Sequence, residues 1–188
     1  MDQEEELYLI KKSSGGDHRA FRQLVEGHQG LAYSIAFRFT RDENESEDIV
    51  QEAFAKLWNS LGKYNSEFRL KTWLAKIVTN LCLDYLKSGR RKKVMSENKI
   101  QNHEPSVEET QLEREELKSI IYRLADQLTE KQKAVFILRD LELLTPEEIC
   151  QALQMPAGNM KSNLYYARLK IKKGLQKIYQ VNGTKKSI

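Results

Sequence analysis

Proline is scarce in this chain, with three among 188 residues. Because proline interrupts helices, its scarcity leaves long helices unbroken. Alternation of apolar and polar residues, which is typical of strands, is also missing over any useful length. Apolar residues recur instead at near-helical spacing. The sequence therefore predicts an all-α fold, with helical stripes formed by Leu24, Leu31, Ile35 and Phe39, by Val50, Phe54, Leu57 and Leu61, by Leu74, Ile77 and Leu81, and by Leu117, Ile121, Leu124 and Leu128.

Long hydrophobic runs are missing as well. No stretch approaches the roughly 20 apolar residues that a membrane-spanning helix needs. The opening MDQEEE is acidic, whereas a secretory signal would begin basic and continue apolar. These absences predict a cytoplasmic protein without membrane insertion. The two cysteines, Cys82 and Cys150, lie in apolar helical contexts, which suits buried thiols in a reducing compartment better than a disulfide framework.

Signals of catalysis are also lacking. The three histidines, His18, His28 and His103, show no metal-ligand spacing. The sequence contains neither a Gly-rich phosphate loop nor a nucleophile elbow. Its carboxylates fall on helix faces where solvent would leave their pKa values near ordinary. We therefore expect a protein that is not an enzyme and that uses no metal, no cofactor and no small-molecule substrate.

Acidic residues are absent from one long part of the chain. Residues 149–188 contain eight Lys or Arg and no Asp or Glu, although the net charge of the whole chain is only +4. By contrast, residues 1–93 contain 16 basic and 14 acidic side chains, and residues 94–148 contain 7 and 13. Local clustering of positive charge is typical of a surface that binds a polyanion, although a solvated helix face can have the same composition.

The helical pattern is interrupted once. Residues 89–111, GRRKKVMSENKIQNHEPSVEETQ, have few large apolar groups and contain Gly, Ser, Asn and Pro. This composition indicates a linker. It separates an N-terminal helical domain, residues 1–88, from a C-terminal one, residues 112–180, which is followed by a tail at 181–188.

The C-terminal unit contains two helix starts. Residues 129–132 and 145–148 both fit the capping-box pattern, and Pro146 occupies the favoured first helical position. The second start predicts a short helix over residues 146–153. A connection over 154–156 then leads to a longer helix that begins near Ala157 and continues beyond Leu175. Two helices joined by so short a connection form a helix-turn-helix, whose second helix enters the major groove of DNA.

Periodicity divides that second helix into two faces. Its buried stripe is predicted to contain Met160, Leu164, Ala167, Ile171, Leu175 and Ile178. The opposite face presents Lys161, Ser162, Tyr165, Leu169, Lys172 and Lys173. A core helix with a solvated basic side would explain the stripe. It would not explain why the lysines have no acidic partner, or why the chain has the pair Tyr165 and Tyr166, of which at least one must face outward. We therefore favour contact with DNA.

The N-terminal unit has two further charged segments. DENESEDIVQEAFAKLWNSL, from Asp42, places Asp48, Gln51 and Glu52 on one helix face, which is either solvated surface or a docking site for a basic protein. In GKYNSEFRLKTWLAKIVTNLCLDYLKSGRRKK, from Gly62, aromatic residues alternate with basic ones. Rings stack on unpaired bases and cations hold the backbone, which suits single-stranded DNA, although aromatics beside a loop can also be local core. The residues concerned are Tyr64, Phe68, Arg69, Lys71 and Trp73.

Taken in order, these segments resemble the extracytoplasmic-function sigma factors, the smallest members of the sigma-70 family. GDHRAFRQLVEGHQGLAYSIAFRFT resembles the opening helices of the family, and EDIVQEAFAKLW resembles its polymerase-docking helix. TWLAKIVTNLCLDYLKSGRR resembles the element that melts and reads the minus-ten promoter element. LTEKQKAVFILRDLELLTPEEICQALQMPAGNMKSNLYYAR resembles the helix-turn-helix that reads the minus-thirty-five element. The likeness covers residues 10–88 and 112–178.

The resemblance implies partners and sites. It implies core RNA polymerase, promoter DNA both as duplex and as melted non-template strand, and an anti-sigma factor. On the polymerase it implies contacts from Asp48, Gln51 and Glu52. At the minus-ten element it implies Asn80 and Lys87 together with the loop from Tyr64 to Phe68, to which we add Arg69, Lys71 and Trp73. At the minus-thirty-five element it implies Lys161, Ser162, Tyr165, Tyr166 and Arg168, to which we add Asn159.

The chain departs from the family pattern at several positions. Asn163 stands where the family commonly has Arg, and Tyr165 and Tyr166 stand where His or Arg is frequent. Lys87 also replaces a frequent Arg. These differences remove bidentate readers of guanine, so the promoter sequence is expected to differ from those of other members. A stand-alone helix-turn-helix regulator is the main alternative function, but it leaves the acidic and aromatic N-terminal segments unexplained.

Overall fold

The structure is a computed structural model that describes residues 2–88 and 109–185, with side chains over 2–88 and 116–179. Every regular element in those ranges is helical, which confirms the all-α prediction. The N-terminal unit contains α1 (Gln3–Ser14), α2 (His18–Thr40), α3 (Glu43–Ser60), a 3-10 turn (Leu61–Lys63) and α4 (Leu70–Lys87). The C-terminal unit contains α5 (Glu109–Ala125), α6 (Glu130–Phe136), a π-helical turn (Ile137–Leu141), α7 (Pro146–Ala152) and α8 (Ala157–Lys185).

Side-chain caps fix where many of these helices begin. The carboxylates of Asp2, Asp17 and Asp42 accept hydrogen bonds from backbone N–H groups in the first turns of α1, α2 and α3. Thr129 and Thr145 form the two predicted capping boxes, at the starts of α6 and α7. An N-cap of this kind stabilises a helix by about 1 kcal/mol relative to alanine. The local sequence is therefore sufficient to set these boundaries.

The core of the N-terminal unit forms around α2, which packs against α1, α3 and α4. The largest side chains there are fully buried, so water is excluded from the interface between these helices. Full burial of one leucine or phenylalanine side chain contributes about 1.5–3 kcal/mol relative to exposure. The buried set in this unit includes Leu24, Ile35, Phe39, Leu57, Leu70, Leu74 and Val78.

The long helix α8 organises the C-terminal unit, because it packs against α5, α6 and α7. The predicted stripe on α8 faces this core. Met160, Ala167 and Ile171 are buried, and Leu164, Leu175 and Ile178 are half-buried against the surrounding apolar side chains. The prediction of the buried face is confirmed. Gly174 allows a close approach here, because a β-carbon at that position would lie 2.3 Å from Leu124 Cδ2.

Two of the predicted boundaries need correction. Helix α5 begins at Glu109, so residues 109–111 are helical rather than part of the linker. Glu109 and Gln111 are good helix formers, so the helix begins before the apolar pattern does. Helix α8 continues to Lys185, into the predicted tail, because no proline interrupts it. The rest of the predicted linker, residues 89–108, lies outside the described residues.

The two units pack against each other. Ile149 on α7 and Met160 on α8 belong to the same buried cluster as the core of the N-terminal unit. Lys133, which is 3% exposed, donates hydrogen bonds to the Phe39 carbonyl oxygen at 3.2 Å and to Asp126 at 2.9 Å. Because α7 is the first helix of the helix-turn-helix and packs on α4, the two predicted DNA-binding regions are neighbours in this arrangement.

Candidate nucleic-acid interface

The outward face of α8 carries the side chains predicted to read duplex DNA. Lys161 and Ser162 are exposed, and the tyrosines at 165 and 166 are 63% and 56% exposed. Both tyrosines therefore face outward, in an edge-to-face pair with 5.4 Å between ring centroids. Asn159 is exposed in the first turn of α8, where free backbone N–H groups also favour a phosphate. This face can donate hydrogen bonds to phosphates and base edges.

Arg168 differs from its predicted neighbours on α8. Its Nε donates to Asp140 Oδ2 at 2.9 Å, and its Nη2 donates to Asp140 Oδ1 at 2.5 Å. These hydrogen bonds raise the pKa of Arg168. The guanidinium thus fixes α8 against the π-helical turn. If Arg168 also contacts DNA, its guanidinium must be shared between DNA and Asp140. That contact stays a prediction.

The turn of the helix-turn-helix has an unusual backbone at one residue. Gln154 adopts the left-handed conformation, with φ of 49°, between α7 and α8. That conformation is normally favoured by glycine, so the turn is held by its surroundings. The N–H of Met155 donates to the Cys150 carbonyl oxygen at 3.0 Å, which satisfies the end of α7. This geometry fixes the direction in which α8 leaves the turn.

The aromatic residues of the N-terminal unit form a cavity. The rings of Tyr64 and Trp73 lie 5.4 Å apart, and the Tyr64 hydroxyl donates to the Phe68 carbonyl oxygen. Burial, and then the charge of Glu6, raise the pKa of Tyr64, so its hydroxyl stays a donor. The cavity has a volume of about 270 Å³. Its lining consists of Lys63, Tyr64, Asn65, Phe68, Thr72, Trp73 and Lys76 from the N-terminal unit, with Gln151 and Gln154 from the C-terminal unit.

The chemistry of this cavity suits a flat polar ring. Trp73 and Tyr64 are half-buried and pack against the core, but both also line the cavity, as does Phe68, which is 38% exposed. Thr72 also lines the cavity, but it is 3% exposed and its hydroxyl oxygen is buried. A nucleobase could stack on the rings.

The remaining residues predicted to hold melted DNA divide into two groups. Arg69 and Asn80 are exposed to solvent. Lys71 and Lys87 instead meet the C-terminal unit, with Lys71 Nζ 2.7 Å from Glu148 Oε1 and Lys87 Nζ 3.7 Å from Glu130 Oε2. Burial raises the pKa of Glu148, but the hydrogen bond from Lys71 and the Thr145 N–H outweigh it and hold that pKa below its ordinary value. Glu148 is therefore ionised at neutral pH.

The predicted docking face on α3 lies apart from these groups. Asp48, Gln51 and Glu52 are exposed, whereas Ala53 and Leu57 on the opposite side are buried. The face contains one ion pair along the helix, between Glu52 and Lys56 at 3.0 Å. Among the described residues, no basic side chain of the C-terminal unit pairs with this face. Its negative charge is available to a partner.

Sequence reasoning missed three residues at the boundary of the cavity. The sequence pattern assigns Glu148 only to a capping box, and Gln151 and Gln154 only to the helix-turn-helix. The structure brings all three over α4. No local pattern reveals a contact between residues about 80 positions apart, because such a contact depends on how the two units pack.

Other chemistry is not assembled in the described ranges. Within residues 2–88 and 109–185, no group of three or more His, Cys, Asp or Glu side chains could hold a metal ion. No helix of the described part is long and apolar enough to cross a membrane. Cys82 is buried and Cys150 is half-buried, and both thiols are free. Burial raises the pKa of Cys82 to about 12, despite the opposing charge of Lys133.

Sequence comparison identifies relatives for both units. Residues 24–92 match the family described as Sigma-70 region 2, and residues 118–171 match Sigma-70, region 4. The RNA polymerase sigma-H factor of Pseudomonas aeruginosa is 30% identical over 187 residues, which cover 94% of this chain and 96% of that protein. The ECF RNA polymerase sigma-E factor of Escherichia coli is 30% identical over 170 residues, which cover 85% of this chain and 88% of that protein.

Solved structures share the fold. CnrH in complex with the cytosolic domain of CnrY matches with a TM-score of 0.69 at 20% identity, over 93% of this chain and 98% of that one. The sigma factor RpoE in complex with the anti-sigma factor NepR from Bartonella quintana matches with a TM-score of 0.62 at 19% identity, over 83% of this chain and 96% of that one. At such low identity the likeness establishes the helical architecture.

Proposed function

The chain belongs to the extracytoplasmic-function sigma factors of the sigma-70 family, and from that premise we propose which of its surfaces bind polymerase and promoter. It is a transcription initiation factor rather than an enzyme. It binds core RNA polymerase and directs initiation at specific promoters. We assign its action to the cytoplasm, where bacterial polymerase and DNA are found.

The outward face of α8 is the proposed reader of the minus-thirty-five element. The observation that carries this proposal is the exposure of Lys161, Ser162 and Tyr165 on a helix whose opposite stripe is buried. Such a helix can enter the major groove without losing its own core. Lysine suits phosphate or guanine, serine suits several bases, and tyrosine offers a ring and a hydroxyl. Asn159, Tyr166 and Arg168 complete the proposed set.

The aromatic cavity is the proposed trap for a base of the melted minus-ten element. Tyr64, Phe68 and Trp73 supply rings, and Arg69, Lys71, Asn80 and Lys87 follow the strand. Stacking on a protein ring contributes about 1–3 kcal/mol per base, whereas stacking within DNA averages about 1.4 kcal/mol per base-pair step. One or two trapped bases offset only the first steps of melting. The polymerase must therefore supply the remaining free energy.

The predicted docking face on α3, formed by Asp48, Gln51 and Glu52, is the proposed docking site for core polymerase. Its support is that these side chains are exposed and that none of them forms an ion pair with a described cation of the C-terminal unit. An anti-sigma factor is a further proposed partner, since RpoE was solved with the anti-sigma factor NepR. The α3 face and the α8 face are both accessible to such a partner.

Co-purification with core RNA polymerase, followed by run-off transcription on fragmented genomic DNA from the source organism, tests the function. We expect a stoichiometric complex that initiates at a discrete set of sites. Under the alternative of a stand-alone helix-turn-helix regulator, the chain would ignore polymerase and bind duplex operator DNA as a symmetric dimer. The initiating sites would also reveal the promoter sequence.

Variants on α8 test the assignment of the minus-thirty-five surface. Lys161→Ala with Tyr165→Ala should weaken binding of promoter duplex about tenfold or more and leave polymerase association unchanged. Loss of one phosphate contact should also reduce the slope of log affinity against log salt by about 1. Lys177→Ala is the matched control, since Lys177 is exposed further along the same helix. Equal loss of both activities would indicate misfolding instead.

A further inference from the structure

The acid-rich part of the C-terminal unit has no role in the proposed function. Four of its carboxylates, those of Asp126, Glu130, Glu142 and Glu148, are directed toward the N-terminal unit. We call these four residues the acidic face. Each one lies opposite a basic side chain of the other unit. Their partners are Arg41 for Asp126, Lys87 for Glu130, Arg38 for Glu142 and Lys71 for Glu148.

Three of these contacts involve partly buried side chains, whereas Lys87 and Glu130 are 58% and 48% exposed. Glu142 has a side chain only 8% exposed, and it accepts hydrogen bonds from Ser34 and Arg38. Arg38 also donates to the Tyr122 hydroxyl at 2.9 Å. The Arg41 guanidinium lies 2.9 Å from Asp126 and 5.2 Å from the centroid of the Tyr122 ring. Several charges are therefore linked in one partly buried network, in which pairs are stronger than isolated surface ion pairs.

Two further ion pairs between the units lie on the proposed DNA-binding surface. Lys71 and Lys87, which we propose to hold the melted strand, are the two cations met by Glu148 and Glu130. Beside them, Gln151 and Gln154 close one side of the aromatic cavity. A carboxylate and a phosphate bind lysine by the same charge-assisted hydrogen bond. An amide side chain carries the same kinds of donor and acceptor as a base edge.

We infer that the acidic face is an interaction surface for the chain's own N-terminal unit, where it competes with melted promoter DNA for Lys71, Lys87 and the aromatic cavity. The inference rests on the proposed minus-ten site. Carboxylates at Glu130 and Glu148 take the place of phosphates, and Gln151 and Gln154 take the place of base edges. The free chain therefore holds Lys71, Lys87 and one side of the cavity engaged, and separation of the two units releases them.

The test uses the full chain without polymerase and a short fluorescent single-stranded DNA of mixed sequence. The variant combines Glu142→Gln with Glu148→Gln. Glutamine at 148 can still accept from the Thr145 backbone in a capping box, so α7 keeps its start. The control combines Glu116→Gln with Glu147→Gln, which changes the net charge equally. Both control residues are exposed, and neither forms an ion pair with a side chain that the structure describes.

We expect the variant to bind the oligonucleotide about tenfold more tightly than the control at low salt, since two partly buried partners are lost. Equal affinity in variant and control would overturn the inference, because charge alone would then explain the gain. The difference should shrink as salt is added, since salt weakens the pairs in the unmodified chain as well.

Acrylamide quenching of Trp73 fluorescence gives an independent reading that needs no DNA. The second tryptophan is removed by Trp58→Phe, at a site packed against Phe21 and His18 away from the cavity. We expect stronger quenching in the Glu142→Gln, Glu148→Gln variant than in the chain without these two changes. In that unchanged chain, we expect quenching to increase when salt is raised. If quenching is the same in both comparisons, the inference is overturned even if DNA affinity rises.

A last substitution separates the two proposals. In the Glu142→Gln, Glu148→Gln background, Trp73→Ala should weaken oligonucleotide binding at least fivefold, because stacking on the ring is lost. If Trp73→Ala has no effect on binding, the minus-ten assignment fails and the competition fails with it. If Trp73→Ala weakens binding but the variant binds no better than its control, the minus-ten site stands and only the inference is overturned.

Discussion

Two acidic surfaces of this molecule have similar composition, but one is exposed to solvent and the other is paired with cations of the N-terminal unit. On α3, Asp48 and Glu52 are exposed, and among the described residues Glu52 pairs only with Lys56 of its own helix. In the C-terminal unit, Asp126, Glu142 and Glu148 pair with basic residues distant in sequence. The difference shows that acidity alone does not define a docking site. What matters is whether the fold has already supplied the cations. We therefore call the α3 face the free surface and the acidic face of the C-terminal unit the engaged surface.

The largest expected effect comes from Asp126 on the engaged surface. Asp126→Ala removes a partner of Lys133, whose side chain is 3% exposed. Removing one partner of a buried pair costs about 3–5 kcal/mol. We expect the free energy of unfolding, measured by urea denaturation, to fall by that amount. A fall below about 1 kcal/mol would show that the engaged surface is no different from the free one.

The free surface should matter for binding rather than for stability. Gln51→Lys with Glu52→Lys should weaken association with core polymerase about a hundredfold, because like charges facing each other across an interface cost several kcal/mol. Urea denaturation should change little. Unchanged polymerase affinity would contradict the docking assignment on α3. A variant with Glu116→Lys and Gln127→Lys, on exposed residues of the other unit, changes the net charge equally and serves as the control.

Acidification should release the engaged surface. The pKa of Glu148 is below its ordinary value in the folded chain, so Glu148 stabilises the closed arrangement above the unfolded pKa of about 4.3. That contribution is lost as the pH falls through the lowered pKa. We expect quenching of Trp73, in the Trp58→Phe chain, to rise over that acidic range. Glu148→Gln should flatten this rise, and an unaltered rise would assign the effect to other carboxyls such as Glu6, whose pKa is also lowered because bonds to His28 outweigh burial.

The smallest effect should come from the ion pair on the free surface. Lys56→Gln breaks the pair between Glu52 and Lys56, both 55% exposed, and exposed pairs spaced four residues apart contribute about 0.3–0.5 kcal/mol. We expect the free energy of unfolding to change by no more than that. The comparable change at Glu142, whose side chain is 8% exposed, should cost more. If both changes lowered the free energy of unfolding equally, the contrast between the free and the engaged surface would be contradicted.

Local features of the fold could be predicted from the sequence, because short-range chemistry decides them. The capping boxes at Thr129 and Thr145 depend on residues three positions apart, and the buried stripe of α8 depends on a repeat of 3.6 residues. Their positions are confirmed. The extent of α5 and α8 was underestimated, because mixed polar residues at 109–111 and 181–185 support a helix as well as a loop.

Long-range contacts could not be predicted in the same way. Arg168 lies on the basic helix, but two of its nitrogens donate hydrogen bonds to Asp140, which is on a different element. Lys71 lies among aromatics typical of strand binding, and its partner Glu148 is in the other unit. In both cases the contact of the cation with DNA stays a prediction. Which anion it meets depends on the packing of the two units, and no periodicity encodes that.

Glu148 performs two tasks with one side chain. It closes the capping box of α7 by accepting from the Thr145 N–H at 2.9 Å, and it holds Lys71 across the boundary between the units. Only the second task requires a negative charge, since glutamine also serves in a capping box. A single base change converts any glutamate codon into a glutamine codon. Natural selection can therefore adjust how tightly the free protein stays closed in one mutational step, without first having to repair its helix-turn-helix.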